Sequence, residues 1–270
     1  MSTWLLANEP QLRLAVFLFI FAVLIILQQT RPRRDVPGGW RRCATNLSLV
    51  IIDTLILRVA FPVLAFDFAM RLEGNGGGLI GALPYWTLVP AGVVLLDCAI
   101  YWQHRLMHKI PLLWRLHRVH HTDTGFDVTT AVRFHPFEIA LSMAIKLGLI
   151  ALFGIPALAV LIFEILLSAG SLFTHANIRL PATFERRLRW LLVTPEMHRI
   201  HHSVHKEETN SNFCFNLSLW DRIFGSYRDQ PRDGQTTMQI GLHEFRDRRD
   251  QTLWALIVNP FRQLGSNRSF

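Results

Sequence analysis

The sequence predicts an all-α integral membrane protein with about five membrane segments and a helical cap on one side, and three observations carry that expectation. Half of the 270 residues are hydrophobic and only 18% are charged, a balance found in chains that live in a bilayer. Five apolar runs are long enough to cross a hydrocarbon core of roughly 30 Å. All 12 histidines lie in the last two thirds of the chain, outside the apolar runs themselves.

The runs occupy residues 12–27, 47–70, 86–102, 137–153 and 155–173. The first is expected to remain as an anchor, because its basic residues follow the apolar stretch and no small-residue cleavage site comes next. The last two meet at Gly154-Ile155-Pro156, a turn tight enough that the pair fits either two crossings or a hairpin that enters the bilayer without fully crossing it.

Charge supplies the orientation. Arg31, Arg33, Arg34, Arg41 and Arg42 follow the first segment, and Arg105, Lys109, Arg115, Arg118 and Arg133 follow the third. A long basic region from Arg179 onward follows the fifth, whereas the second and third segments are joined by a loop carrying only Arg71. Every basic cluster therefore falls on one side. The positive-inside rule puts that side in the cytosol and the N-terminus outside, in a bacterial inner membrane or the endoplasmic reticulum. The net charge of +8 then reads as topology and attraction to anionic lipid, with no nucleic acid as partner. Cys43, Cys98 and Cys214 form neither a disulfide framework nor a zinc pattern.

The histidines carry the chemistry. His104 and His108 stand four apart where the third helix should continue into the cytosol, so both imidazoles share a face. His117-Arg-Val-His120-His121 and, after the last segment, His198-Arg-Ile-His201-His202 each place rings at i, i+3 and i+4 on one helical face. Eight convergent nitrogens are too many for one ion and suit a dinuclear site. Neutral imidazole accepts iron, zinc, copper or nickel. Zinc hydrolysis would need H-E-x-x-H or its inverse, neither of which occurs. Adjacent His-His pairs beyond the apolar spans do not suit axial ligation of haem.

Asp97, Tyr101-Trp102-x-His104-Arg105-x-x-His108, Trp114-x-x-His117-x-x-His120-His121, His198-x-x-His201-His202 and Trp220-Asp221-x-x-Phe224-Gly225 together resemble the fatty acid hydroxylase superfamily, which includes sterol desaturases. The resemblance spans about residues 94–228. It implies a cap that houses two iron ions, with zinc able to occupy the site in purified samples. It also implies an enzyme that takes O2 and two electrons and hydroxylates or desaturates a lipid of sterol or fatty acyl type, with no catalytic residue beyond the metal centre.

In this superfamily further histidines complete the ligand shell, and His175 is the best candidate here, with His135 as a metal ligand, a pocket residue or a helix cap. Fatty acid 2-hydroxylases carry another histidine four residues past the position of His175, where this chain has Arg179. Asp97, an ionisable group in a membrane segment and seven residues before His104, is expected to orient a ligating imidazole, and Asn212 to help close the cap. Glu164 is read as lining a substrate pocket, and Arg58 and Lys146 as reaching to an interface.

No dinucleotide fingerprint or iron–sulfur cysteine set is present, so electrons are expected from a separate ferredoxin or a cytochrome with its reductase. Ether-lipid or carotenoid oxidation fits the same centre, and a non-enzymatic metal transporter or scaffold is the reading from another class. Three regions are expected: membrane anchor segments at 1–85, the hydroxylase-like catalytic region at 86–230, and a cytosolic or interfacial tail at 231–270.

Overall fold

A computed structural model describes residues 2–61, 63–73 and 77–263. Its helices are α1 (Ser2–Ala7), α2 (Glu9–Thr30), α3 (Gly39–Ala60), α4 (Ala65–Glu73), α5 (Tyr85–Lys109), α6 (Pro111–His121), α7 (Pro136–Phe153), α8 (Ala157–His175), α9 (Ala182–Leu188), α10 (Pro195–His201), α11 (Lys206–Thr209), α12 (Leu219–Ile223) and α13 (Leu253–Val258). No strand occurs among the described residues; three isolated bridges, such as Pro32 with Ile178, are the only extended pairings there.

Five stretches are long and apolar enough to cross a membrane, matching the five runs of the sequence. Leu14, Leu18, Phe19 and Ile26 of α2 stay exposed, as a helix bathed in lipid allows and a water-soluble fold would not. The second run is one apolar stretch but two helices. Phe61, which precedes a proline in the sequence, is extended, and α4 resumes at Ala65, because a residue before proline is driven out of the helical region.

At 18 and 19 residues, α7 and α8 each reach about 27 Å, close to the full hydrocarbon thickness. The turn between them depends on Gly154 at φ 70°, where a Cβ would lie 2.0 Å from the Gly77 carbonyl. That contact is open only to glycine. Leu79 and Ile80 donate to the last carbonyls of α7 and finish the cap of that helix.

The apolar core of the membrane part lies between α4, α5, α7 and α8, around Phe66, Leu96, Ile150 and Phe163. The cap sits on the C-terminal ends of α5 and α8 and the N-terminal ends of α3 and α7. It is stitched down by ionic contacts. Arg42 of α3 pairs with Asp123 at 2.6 Å and with Asp127. Arg133, with no exposure, donates to the Val119 carbonyl, Asn46, Thr122 and Gln251. Burial alone would push the Asp123 carboxyl up, but the Arg42 and Arg133 guanidiniums hold it below the usual range.

Basic residues assigned by sequence to topology thus have internal duties as well. Arg33 pairs with Glu196, Arg34 donates to the Met238 carbonyl and Arg118 to Asn259. The last described part packs on the cap in the same way, with His135 donating to Ile257 while Trp254 and Phe261 remain exposed. Residues 264–270 of the expected interfacial tail lie outside the described residues.

Candidate metal centre

Nine histidines meet inside the cap, and they do so as two groups. One contains His104, His108, His117, His121 and His201; the other contains His120, His175, His198 and His202, and within each group the ligand nitrogens lie within 4.8 Å of one another. All but His108 are fully buried.

The grouping divides each tripeptide cluster. The i and i+4 histidines of α6, His117 and His121, serve the five-membered group while His120 crosses to the other. In α10 the pattern is inverted: His198 and His202 join the four-membered group and His201 crosses. Successive residues diverge by roughly 100° around a helix, so the i+3 ring cannot point where the i+4 ring points. The expectation that each cluster presents one common face gives way to this crossing, and the two short triplets come to bracket two positions.

Local sequence puts the triplets there. Pro111 and Pro195 each sit at the first turn of their helices, where the missing N–H is harmless. The Thr194 side chain caps α10 by accepting from Met197 N and donates to Glu185. His104 and His108 ride on the last turns of α5, and His175 ends α8.

Most rings are aimed through Nδ1. His104 donates to the Phe213 carbonyl at 2.7 Å, His201 to the Ser211 carbonyl at 2.7 Å, His175 to the Ser171 carbonyl at 2.8 Å and His120 to the Arg133 carbonyl at 3.2 Å. His117 Nδ1 meets Glu138 at 2.6 Å. Each such bond sets the tautomer that leaves Nε2 as a lone-pair donor.

The Nε2 atoms then converge: His104 and His117 are 3.0 Å apart, and His175 lies 3.1 Å from both His120 and His198. Such separations suit two nitrogens each about 2.1 Å from a shared ion. His108 Nε2, His201 Nε2 and both ring nitrogens of His121 and His202 are buried without a hydrogen-bond partner among the described residues. Orphaned polar atoms in that number are costly unless something binds them. Burial, with neighbouring imidazoles adding to it, pushes His120, His121, His198 and His202 well below the usual histidine range and His201 to about 3. These rings are therefore neutral at physiological pH, the form that ligates a metal. The donor set fits two transition-metal ions.

Other expected site residues fall elsewhere. His135 belongs to neither group; its Nε2 meets the Ile257 carbonyl and its Nδ1 caps α7 by accepting from Phe137 N. Asp97 does not touch an imidazole. Seven residues span about 10 Å of helix, too far to reach His104, and its carboxylate accepts from Asn216 at 2.9 Å and Trp220 Nε1 at 2.8 Å. Asn212 acts through its backbone. At φ 52°, with its side chain bonded to Met197 O and to Arg228, it separates the Ser211 and Phe213 carbonyls that aim His201 and His104. Asp221 secures the same loop by accepting from Phe213 N and Cys214 N. His205 pairs with Asp233 outside both groups.

Glu138 escaped the sequence reading; an acidic residue in the first turn of an apolar segment was its signal. Glu164 does line a cavity, but Lys146 pairs with it at 2.5 Å and does not extend to an interface. That cavity, of about 350 Å³, runs among α2, α3, α5, α7 and α8 to His104 and His117.

Comparisons with known proteins agree on the family. The fatty acid hydroxylase family model matches residues 89–226, half of the chain. Ornithine lipid hydroxylase OlsE of Rhizobium tropici is 31% identical over 56% of this chain and 45% of its own length. Alkylglycerol monooxygenase of Homo sapiens is 29% identical over 53% of this chain and 31% of its own. Fatty acid hydroxylase vlmA of Lecanicillium sp is 26% identical over 78% of this chain and 60% of its own. The chain thus matches less than half the length of the first two. No solved structure matches it. With its histidine triplets, its membrane helices and the family match covering the same residues, the chain belongs to the fatty acid hydroxylase family.

Proposed function

We propose that this chain is a membrane-bound oxygenase that uses two iron ions, held by the five- and four-histidine groups, to hydroxylate a lipid. The observation that carries the reading is the pair of buried imidazole groups, the five-membered one standing at the end of a cavity that descends among membrane helices. Bound there, iron would supply the redox chemistry by which a C–H bond, O2, two electrons and two protons become an alcohol and water. The chain's own residues hold and aim the ligands through Glu138 and the Ser211, Phe213, Ser171 and Arg133 carbonyls, exclude water with the rings of Phe126, Phe134 and Phe215, and admit substrate from the bilayer side. The relatives carry the names hydroxylase and monooxygenase, which favours oxygen insertion over desaturation, and alkylglycerol monooxygenase adds ether lipid as a second substrate class. A metal transporter would place its ligands near the bilayer midplane; here they lie at one end, inside a cap.

In this reading the cap faces the cytosol and the N-terminus lies outside, in keeping with exposed Arg31, Arg41, Lys109, Arg186 and Arg187 at the cap end. The same residues would attract an acidic ferredoxin or cytochrome. The rate of reduction by such a donor is expected to fall as ionic strength rises from low to physiological values; a salt-insensitive rate counts against that docking mode.

Metal analysis of detergent-purified, iron-57-loaded protein tests the centre itself. About two irons per chain, exchange-coupled in Mössbauer spectra, are expected. Absence of stoichiometric transition metal after loading would overturn the proposal.

A further inference from the structure

The cavity that reaches the five-histidine group is not built like a channel for a bare hydrocarbon. Its wall runs from His104 and His117 to Arg13, Lys146 and Glu164. That far end is internally neutral, since Glu164 takes Lys146 at 2.5 Å and Arg13 at 3.0 Å while Arg13 also pairs with Glu9 at 2.5 Å. Glu138 is committed through one oxygen to His117.

Asp53 is left over. It lines the cavity, is 5% exposed, and its Oδ1 has no hydrogen-bond partner among the described residues. The hydroxyls of Thr54, Ser142 and Ser168 line the same space. A carboxylate inside a bilayer is expensive unless it is paired, and an acyl chain or a sterol ring system brings no donor to pair with it. A primary ammonium brings three donors and a positive charge that would favour the ionised form of the carboxyl.

We infer that this cavity receives the cationic, amine-bearing end of an amphiphile, with the Asp53 carboxylate as its receptor. The carbon presented to the five-histidine group then lies in or beside the polar head and not in the middle of an acyl chain. The inference rests on the oxygenase reading only in calling the bound molecule a substrate; the binding site stands on the cavity and Asp53.

Competition in native mass spectrometry tests it, with hexadecylamine and hexadecanol at equal concentration on the metal-loaded protein. The amine is expected to occupy the protein about tenfold or more in excess of the alcohol, the strength of a charge-assisted hydrogen bond. In Asp53→Asn the ratio is expected to fall to within about threefold, and in Asp53→Glu to persist. Equal occupancy by both probes in the wild-type protein overturns the inference, and that comparison decides even where a variant does not fold. Metal content and product formation are read on the same samples. Protein that holds its metals and oxidises lipid, yet binds the alcohol as well as the amine, sinks the inference and leaves the oxygenase reading standing. Amine selectivity without stoichiometric metal supports the inference and sinks that reading instead.

Discussion

Replacing His120 by alanine is expected to lower bound metal from about two ions per chain to about one and to reduce lipid oxidation by well over 100-fold, because it takes one ligand from a group of only four. Outer partners of a metal ligand typically cost 10–100-fold when removed, and loss of a ligand itself should exceed that. His201→Ala takes one nitrogen from the group of five, so four remain and metal retention there should be better than in the four-histidine group. The two variants thus differ in a way that a merely structural role for the histidines does not explain: unequal metal loss from two symmetric-looking sequence triplets. Elemental analysis of both variants, with circular dichroism to verify folding, checks this. Unchanged metal content in both would remove the assignment of these histidines as ligands.

Arg42→Met is expected to destabilise the cap by about 3–5 kcal/mol, the usual result of stripping one partner from a buried charge set. Asp123 has no exposure and Asp127 is 6% exposed, and Arg42 is the cation common to both. Methionine keeps much of the apolar stem but leaves two buried carboxylates facing each other's field, with Arg133 near Asp123 as the remaining compensation. At roughly 2–4 °C per kcal/mol for a domain of this size, the melting temperature should drop by about 10 °C. Exposed Arg187 provides the control, since its replacement by methionine should move the melting temperature by no more than about 2 °C. A melt of Arg42→Met indistinguishable from that control would show that the ionic stitching between α3 and the cap is not a stabilising element.

The two predictions probe different layers of the molecule, and the layers were not equally legible in the sequence. Hydropathy located the five long helices because a membrane demands runs of apolar residues with their backbone bonds satisfied internally, a constraint that acts on contiguous sequence. The break after Ala60 follows from Pro62 but is invisible to a hydropathy window, which averages across it. The clustered histidines stood out for a similar reason: helical spacing is local, so His117, His120 and His121 declare a common element before any fold is known. His175, isolated in sequence, needed the family resemblance, and the structure brings it beside His120 and His198 across 55 and 23 residues.

By itself, then, the sequence determined the helical class, the membrane segments and eight of the nine clustered histidines, all of which rest on composition and on periodicity within single elements, while His175 came from the family resemblance. Only the tertiary structure decided which histidine joins which group, that Glu138 aims His117, that Asp97 serves Trp220 and Asn216 instead of an imidazole, and that Asp53 lines the cavity with its Oδ1 unpartnered among the described residues. The physical reason is distance along the chain. Direction around one helix is set by neighbours a few residues away, whereas a hydrogen bond such as that between His104 and the Phe213 carbonyl joins residues 109 apart and depends on how α5, α6, α8 and α10 pack.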